Sequence, residues 1–356
     1  MSPVARIASL EVRLVERGPA ERGNPLVYGL AGLVVGFLAS IALGALTPAG
    51  VGGTLGALAS VIGDPGKWPD ALPYFFAIAS SAAGLALAYR SGFITIGAEG
   101  QMVAGMVAAY WALGVAGAPL AAGLALAALT GAALGALVAA LRVYLLVNET
   151  LSSLMLNYIV VSVLNYLVGG PWSAGGFTKT ALLPPERTMT PGVAALLVTA
   201  LVVAYEMLYR YTRLGVAVDS IGLARRAAET YGVSFARTII AVAVLGGLLA
   251  GLGGGLYLAA VQQQLTSLNT FQSLGYGYMG ILAAWLAGNV VVATLASSLL
   301  LAVLYLASTA FQISRVPWSF ALALQAVIVL SVVSFVTLSR YRVVVRRLAM
   351  RKAAEG

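Results

Sequence analysis

A carboxylate lies inside an apolar stretch of this sequence. Residues 93–111 read FITIGAEGQMVAGMVAAYW, where Glu99 and Gln101 stand among glycines and aliphatic residues. Such side chains can contact a passing polar solute, hold a proton or a cation, or accept hydrogen bonds from an interrupted backbone. If the stretch lies in a membrane, a charge at the bilayer centre costs about 2.5–3.5 kcal/mol. Glu99 is therefore expected to face protein or water.

Few residue types are available for catalysis. The chain has no cysteine and no histidine, which removes thiolate nucleophiles and ligands, the commonest general base and the commonest zinc ligand. It also lacks the Gly-x-x-x-x-Gly-Lys-Ser/Thr loop that cradles nucleotide phosphates. We therefore predict no catalytic residue, no metal site and no cofactor, and a chain that is not an enzyme and has no ATPase site.

The composition is that of a membrane protein. Apolar residues make up 60% of the chain and charged residues 9%, against about 25% charged in soluble domains, and the mean hydropathy is +0.94. About ten apolar runs have the length that a spanning helix needs, with eight or nine spans as alternatives. The runs cover residues 26–47, 71–89, 94–113, 119–141, 151–169, 191–209, 238–260, 275–292, 294–312 and 318–338.

The positive charges orient these spans. With an even number of spans and a cytoplasmic N-terminus, nearly all of the 21 Lys and Arg residues fall on the cytoplasmic side, as the positive-inside rule requires. The exceptions are Lys67, Lys179, Arg187 and Arg315. Because the charges are spread between apolar runs, they form no surface for nucleic acid.

The predicted fold class is thus an all-α polytopic protein of the cell membrane, with both termini cytoplasmic. A basic amphipathic arm at 1–25 is expected to lie on anionic membrane lipid. The transmembrane domain covers 26–338, and a basic cytoplasmic tail follows at 339–356. Glycine and proline mark 48–70 and 170–190 as external loops.

The stretch around Glu99 is a candidate pathway for a solute. Non-helical backbone is tolerated in a membrane only inside protein or around a cavity, and the glycines here allow a helix to break. Glu99 then either faces the pathway or anchors helix packing by hydrogen bonds to backbone or to Asn157. The pathway candidates in this stretch are Gly97, Glu99, Gly100 and Gln101.

The next polar residues belong to the predicted span at 151–169. Asn148 followed by Glu149 predicts a helix N-cap with an acid in the first turn. Asn157 lies deeper in the span and is the better pathway candidate.

The later half of the chain offers two tyrosines. The run GYGYMGILAAWLAG begins at Gly275 and resembles residues 97–114 in its spacing of glycine, methionine and tryptophan, which predicts two weakly related halves. Transporter sites often lie where such halves meet. Tyr276 and Tyr278 could stack on a base or a sugar, or act only as interfacial anchors.

The longest cytoplasmic loop, 210–237, carries a helix-length segment, LARRAAETYG. Its residues are mostly good helix formers, with Gly222 before them and Gly232 as a stop. So short a helix needs a surface on which to pack. That surface is either the membrane domain itself or another protein.

This loop, IGLARRAAETYGVS, resembles the coupling segment of ABC importer permeases that handle nucleosides, simple sugars and branched-chain amino acids, often written GxNPxAARYAGI. SGFITIGAEGQMVAG resembles the AGLFNIGAEGQ stretch of the same family. VNETLSSLMLNYIVVSVLNYLVGGPW resembles its NEVxxTIMLNYIA and GPW words, closest to the nucleoside branch. The resemblance covers roughly 70–290. In this sequence, the resemblance places the ATPase-coupling residues at Gly222, Arg225, Arg226, Ala227, Tyr231 and Gly232.

The resemblance implies a division of labour. Separate ATPase subunits would dock on residues 219–234, and an extracytoplasmic substrate-binding protein would deliver a small polar solute, a nucleoside or a simple sugar. The permease would pair with a second permease subunit, identical or related. The alternative from the residues alone is a stand-alone transporter that uses Glu99 as a proton or ion site.

Overall fold

Helices form the membrane part of the chain. The computed structural model describes residues 4–7, 10–16, 25–45, 50–268, 274–313 and 341–347, and parts of 323–338. Two π-helical turns occur at Trp111–Val115 and Leu258–Gln262, and each continues the α-helix that precedes it. The helices are α1 (Pro25–Gly44), α2 (Gly50–Ile62), α3 (Leu72–Arg90), α4 (Ala98–Tyr110), α5 (Leu120–Leu145), α6 (Glu149–Gly169), α7 (Pro191–Tyr211), α8 (Arg213–Thr230), α9 (Phe235–Tyr257), α10 (Tyr276–Leu286) and α11 (Ala293–Ile313).

Nine of the predicted spans coincide with helices. Within the described residues, five helices are long and apolar enough to cross a membrane, and they match the spans predicted at 71–89, 119–141, 151–169, 191–209 and 238–260. The other four matches are α1, α4, α10 and α11. The tenth predicted span, 318–338, lies only partly within the described residues, and those that are described between 323 and 338 are helical.

One predicted loop contains a helix. The segment 48–70 is predicted to be an external loop, but α2 occupies Gly50–Ile62 within it. The Leu and Ala residues of this segment favour a helix, and they outweigh its glycines. At 13 residues, α2 is shorter than the roughly 20 residues that a spanning helix needs.

The two ends of the chain form a small antiparallel sheet, which the all-α prediction did not include. Its strands, in the order β1-β2-β3, are Val4–Ile7, Leu10–Glu16 and Tyr341–Arg347. Val12 pairs with Val345 in the register of β2 and β3. The sequence signal was the apolar/polar alternation in LEVRLVE and the β-branched run in YRVVVRR. The expected N-terminal arm thus contains two strands.

The chain divides into two units, one formed by residues 1–57 with 311–356 and the other by 58–310. In the first unit, Gly32 and Gly36 of α1 let its backbone lie against Val332 and Ile328. In the second unit, α9 is central and contacts α3, α4 and α5.

Glycines allow these close helix contacts. A Cβ on Gly247 of α9 would collide with the carbonyl oxygen of Gly131 on α5, and a Cβ on Gly131 would collide with that of Gly247. A Cβ on Gly105 of α4 would likewise meet the backbone of Gly251. Small residues at membrane helix interfaces let backbones approach in this way.

Candidate translocation site

Two helices of the second unit begin at the same place. Residues 93–97 are non-helical before α4 starts at Ala98, and α10 starts at Tyr276 after Gly275 in the left-handed region at φ 81°. A Cβ on Gly277 would collide with the backbone of Glu99. The N-termini of α4 and α10 are therefore in direct contact, and a residue larger than glycine does not fit between them.

Glu99 joins these two helix starts. Its side chain is fully buried, and its two carboxylate oxygens accept hydrogen bonds from the backbone N–H of Gly275 at 2.8 Å and of Gly277 at 2.7 Å. The first N–H groups of a helix lack partners within the helix, and a negative charge is favourable there. These bonds offset the cost of burying the carboxylate.

Asn157 of α6 holds the non-helical backbone before α4. Its Oδ1 accepts from the N–H of Gly100 at 2.9 Å, and its Nδ2 donates to the carbonyl of Ile96 at 3.0 Å. A Cβ on Gly100 would collide with the Asn157 side chain. One turn earlier on α6, Ser153 Oγ accepts from the N–H of Ile96 at 3.0 Å. The polar groups freed by the break are thus satisfied by protein.

Gln101 and Gly97 line small cavities beside the helix break. Gln101 is buried and borders two narrow cavities of about 10 Å³ each. The second cavity is also lined by Gly97, Gly100, Ser153 and Asn157. A volume of this size holds about one water molecule. The two cavities at the helix break are therefore too small for a nucleoside or a sugar.

The two candidate tyrosines face different neighbours. The Tyr278 hydroxyl accepts from Nδ2 of Asn157 at 3.3 Å. Tyr276 is buried, and its hydroxyl lies 3.0 Å from that of Tyr257. Its ring also lies 5.5 Å from that of Tyr305, which in turn lies 4.6 Å from that of Tyr74. Tyr276 therefore belongs to a cluster of four tyrosines.

The segment 210–237, predicted to be a cytoplasmic loop, contains a longer helix than predicted. α8 begins at Arg213, and its backbone is non-helical at Ala224 (φ −156°, ψ 86°), so two helical parts meet there. Gly222 lies near the end of the first part, where a Cβ would collide with the carbonyl oxygen of Arg90. Gly232, at φ 86°, follows the second part as predicted.

The other predicted coupling residues lie on the second part of α8 or directly after it. Arg225 pairs with Glu229 at 3.1 Å, and its guanidinium lies 3.6 Å from the ring centre of Phe235. Arg226 and Ala227 are exposed. Tyr231 is 88% exposed and Leu223, just before the break, is 87% exposed. Large apolar side chains are thus presented outward on a polar loop.

The comparison with known protein families identifies the chain. The family described as branched-chain amino acid transport system / permease component matches residues 70–336. The chain belongs to this permease family. This family is a different class of transporter from the stand-alone, ion-coupled alternative considered from the residues alone.

Curated relatives narrow the branch. The permease is 30% identical to the glucose ABC transporter permease protein TsgB13 of Haloferax volcanii, over 90% of this chain and 89% of that protein. It is 27% identical to the nucleoside ABC transporter permease protein NupB of Lactococcus lactis, over 79% and 82% of the two chains. The guanosine ABC transporter permease protein NupP of Bacillus subtilis is 28% identical, over 71% and 77%. No solved structure matches the chain.

The permease is therefore a multi-pass plasma-membrane subunit of an ABC importer, of the sugar and nucleoside branch. Permeases of this family work with separate ATPase subunits and a substrate-binding protein. Sequence reasoning missed Ser153, Tyr74, Tyr257 and Tyr305. Ser153 could have been found, because it precedes Asn157 by four residues and so shares its helix face.

Proposed function

We propose that this permease forms the pathway for a small uncharged polar solute, a nucleoside or a simple sugar. Its relatives TsgB13, NupB and NupP are named as permeases for glucose, nucleosides and guanosine. Gln101, Asn157 and Tyr278 supply amide and hydroxyl groups beside the glycine-rich break, which are suited to the hydroxyls of such a solute. In this proposal the solute passes when the starts of α4 and α10 move apart, with Tyr276 in the adjoining wall.

The negative charge of Glu99 at the helix break is the reason for proposing an uncharged solute. The N-terminus of a helix favours an anion, and the carboxylate of Glu99 already occupies the start of α10 through Gly275 and Gly277. An amino acid would bring a second carboxylate to the same place, where like charges repel. A solute without a negative charge meets no such repulsion.

Transport by the reconstituted importer tests this choice. The permease is placed in liposomes with its ATPase subunits, and the substrate-binding protein is added outside. Uptake of labelled guanosine, glucose and leucine is then measured with and without ATP, and each rate is divided by the fraction of binding protein loaded. We expect ATP-dependent uptake of guanosine or glucose. ATP-dependent uptake of leucine at an equal corrected rate would contradict the proposal.

We further propose that the ATPase subunits dock on residues 219–234. The support is the pair Leu223 and Tyr231, which are almost fully exposed on either side of a short helix that carries Arg225 and Arg226. Aromatic and arginine side chains dominate the binding energy of protein interfaces. In this arrangement the loop lies in the cytoplasm with both termini, as the positive charges indicate.

Co-purification tests the docking. Tyr231→Ala removes an exposed ring and should reduce ATPase recovery about tenfold or more. Tyr211→Ala is the matched control, because Tyr211 is 84% exposed on the same loop but lies outside residues 219–234. Equal recovery of the ATPase with both variants and the wild type would reject this surface.

The importer also needs a second permease subunit, identical or related. Affinity purification of a tagged permease from cells that also express an untagged copy distinguishes the two cases. Recovery of the untagged copy with the tagged one indicates a homodimer, and recovery of a related chain alone indicates a heterodimer.

A further inference from the structure

The non-helical residue Ala224 divides α8 into two parts with different contacts. The first part, 213–223, has Val218 and Ile221 buried. In the second part Ala228 alone is buried, and the exposed residues proposed to meet the ATPase begin at Leu223, just before the break. The first part is therefore attached to the membrane domain, whereas the second part is free to meet a partner.

Asp219 makes the polar part of this attachment. Its Oδ1 accepts from Nε of Arg90 at 3.1 Å, and its Oδ2 accepts from the hydroxyl of Tyr209 at 2.6 Å. The Arg90 guanidinium also lies 4.7 Å from the centre of the Tyr209 ring. Arg90 ends α3 and Tyr209 lies near the end of α7. One carboxylate on α8 thus joins the ends of two membrane helices.

Backbone contact makes the same connection stiff. Gly222 lies one turn after Asp219, and a Cβ there would collide with the carbonyl oxygen of Arg90. The ion pair is partly exposed, at 29% for Arg90 and 44% for Asp219, so its contribution to stability is small. Its role is to fix the position of α8, because two groups, Arg90 and Tyr209, hold one carboxylate at the ends of α3 and α7.

Helix α3 also contacts α10, one of the two helices that begin at the candidate translocation site. A Cβ on Gly280 of α10 would collide with Ser81 of α3, and the rings of Tyr89 and Trp285 lie 6.1 Å apart near the cytoplasmic ends of the same two helices. The start of α10 is in turn held by Glu99. These contacts connect the end of α3, through α10, to the candidate translocation site.

We propose that Asp219 is a positioning residue that transmits ATPase movement to α3, an inference that rests on the proposed docking of ATPase subunits on the loop. Asp219 is the first residue of the proposed docking segment, but its carboxylate is held by Arg90 and Tyr209 and contacts neither the ATPase nor the solute. The docked second part of α8 moves the first part, and the Asp219 carboxylate makes α3 and α7 follow. Without this carboxylate, α8 moves without α3 and α7, and ATP hydrolysis no longer drives transport of the solute.

The test separates docking, hydrolysis and transport in the reconstituted importer. Asp219→Asn keeps the shape of the side chain and removes its charge. We expect ATPase co-purification and ATP hydrolysis to remain within about twofold of wild type, while solute moved per ATP falls about tenfold, the size of a typical coupling between sites. Asp64→Asn is the matched control, because Asp64 is also part-exposed and pairs with a basic residue, Lys67, outside the loop.

A second variant protects the test against misfolding. Tyr209→Phe keeps the ring beneath Arg90 and removes only the hydroxyl that donates to Asp219, and should lower solute per ATP about threefold. If Asp219→Asn fails to assemble, Tyr209→Phe decides, and a wild-type ratio in this variant overturns the inference. A wild-type ratio in Asp219→Asn overturns it as well. A wild-type permease that recovers no ATPase rejects the proposed docking and, with it, this inference.

Discussion

Oε2 of Glu99 accepts the backbone N–H of Gly277 at 2.7 Å, so a side chain in the first turn of α4 completes the first turn of α10. Both carboxylate oxygens act as acceptors, because Oε1 bonds to the N–H of Gly275. The polar group that interrupts an apolar stretch is thus the group that holds two helix starts together.

The first prediction is that Glu99→Gln destabilises the fold. A glutamine offers one acceptor and turns an NH2 donor towards a second N–H donor, which leaves that buried pair unsatisfied. We expect a loss of about 1–3 kcal/mol, seen as a lower melting temperature of the detergent-purified protein. Glu229→Gln, at an exposed ion pair, should change stability by less than about 0.5 kcal/mol. Normal stability of Glu99→Gln with lost uptake would instead indicate direct solute contact.

The second prediction concerns the crossing of α5 and α9. Gly247→Ala places a methyl group against the carbonyl oxygen of Gly131, and the helices must separate, at a cost of about 1–3 kcal/mol. Gly192→Ala is the control, since a Cβ there meets nothing within 4 Å. The first variant should lower the melting temperature and the second should leave it unchanged or slightly higher. Equal behaviour of the two would show that the crossing tolerates a wider spacing.

Helices and their ends could be read from the sequence because local signals determine them. Asn148 was predicted as an N-cap, and its Oδ1 accepts from the N–H of Leu151 at 3.0 Å. The division after the eighth span is confirmed, with Gly288 and Asn289 both at positive φ between α10 and α11. These features depend on a few neighbouring residues.

Contacts between distant parts of the chain could not be read in the same way. The pairing of Glu99 with Gly277 joins residues 178 positions apart, and that of Arg90 with Asp219 joins residues 129 positions apart. Hydropathy gives the existence of each helix but not its neighbours. Glu206 is a further case, because its buried carboxylate accepts from the N–H of Val292 at 3.2 Å, which no local pattern indicates.

The third prediction tests the support that α6 gives to the helix break. Asn157→Asp keeps the acceptor for the N–H of Gly100 but replaces the donor to the Ile96 carbonyl with a second acceptor oxygen. We expect a loss of about 1–3 kcal/mol, measured as lower expression and a lower melting temperature. Ser162→Ala on the same helix removes only an exposed hydroxyl bonded to its own turn and should behave as wild type. A stable Asn157→Asp protein would show that the break is held without this amide.

The fourth prediction separates solute contact from folding at Tyr278. Its hydroxyl makes a 3.3 Å contact with Asn157, and Asn157 retains its two backbone partners when that hydroxyl is removed. Tyr278→Phe should therefore assemble and melt as the wild type does. If the hydroxyl also binds the passing solute, uptake should fall about tenfold while ATPase recovery is unchanged, since one lost hydrogen bond to a polar partner is worth about 0.5–1.5 kcal/mol and an unsatisfied one more. Wild-type uptake by Tyr278→Phe would remove Tyr278 from the pathway and leave Gln101 as the next side chain to change.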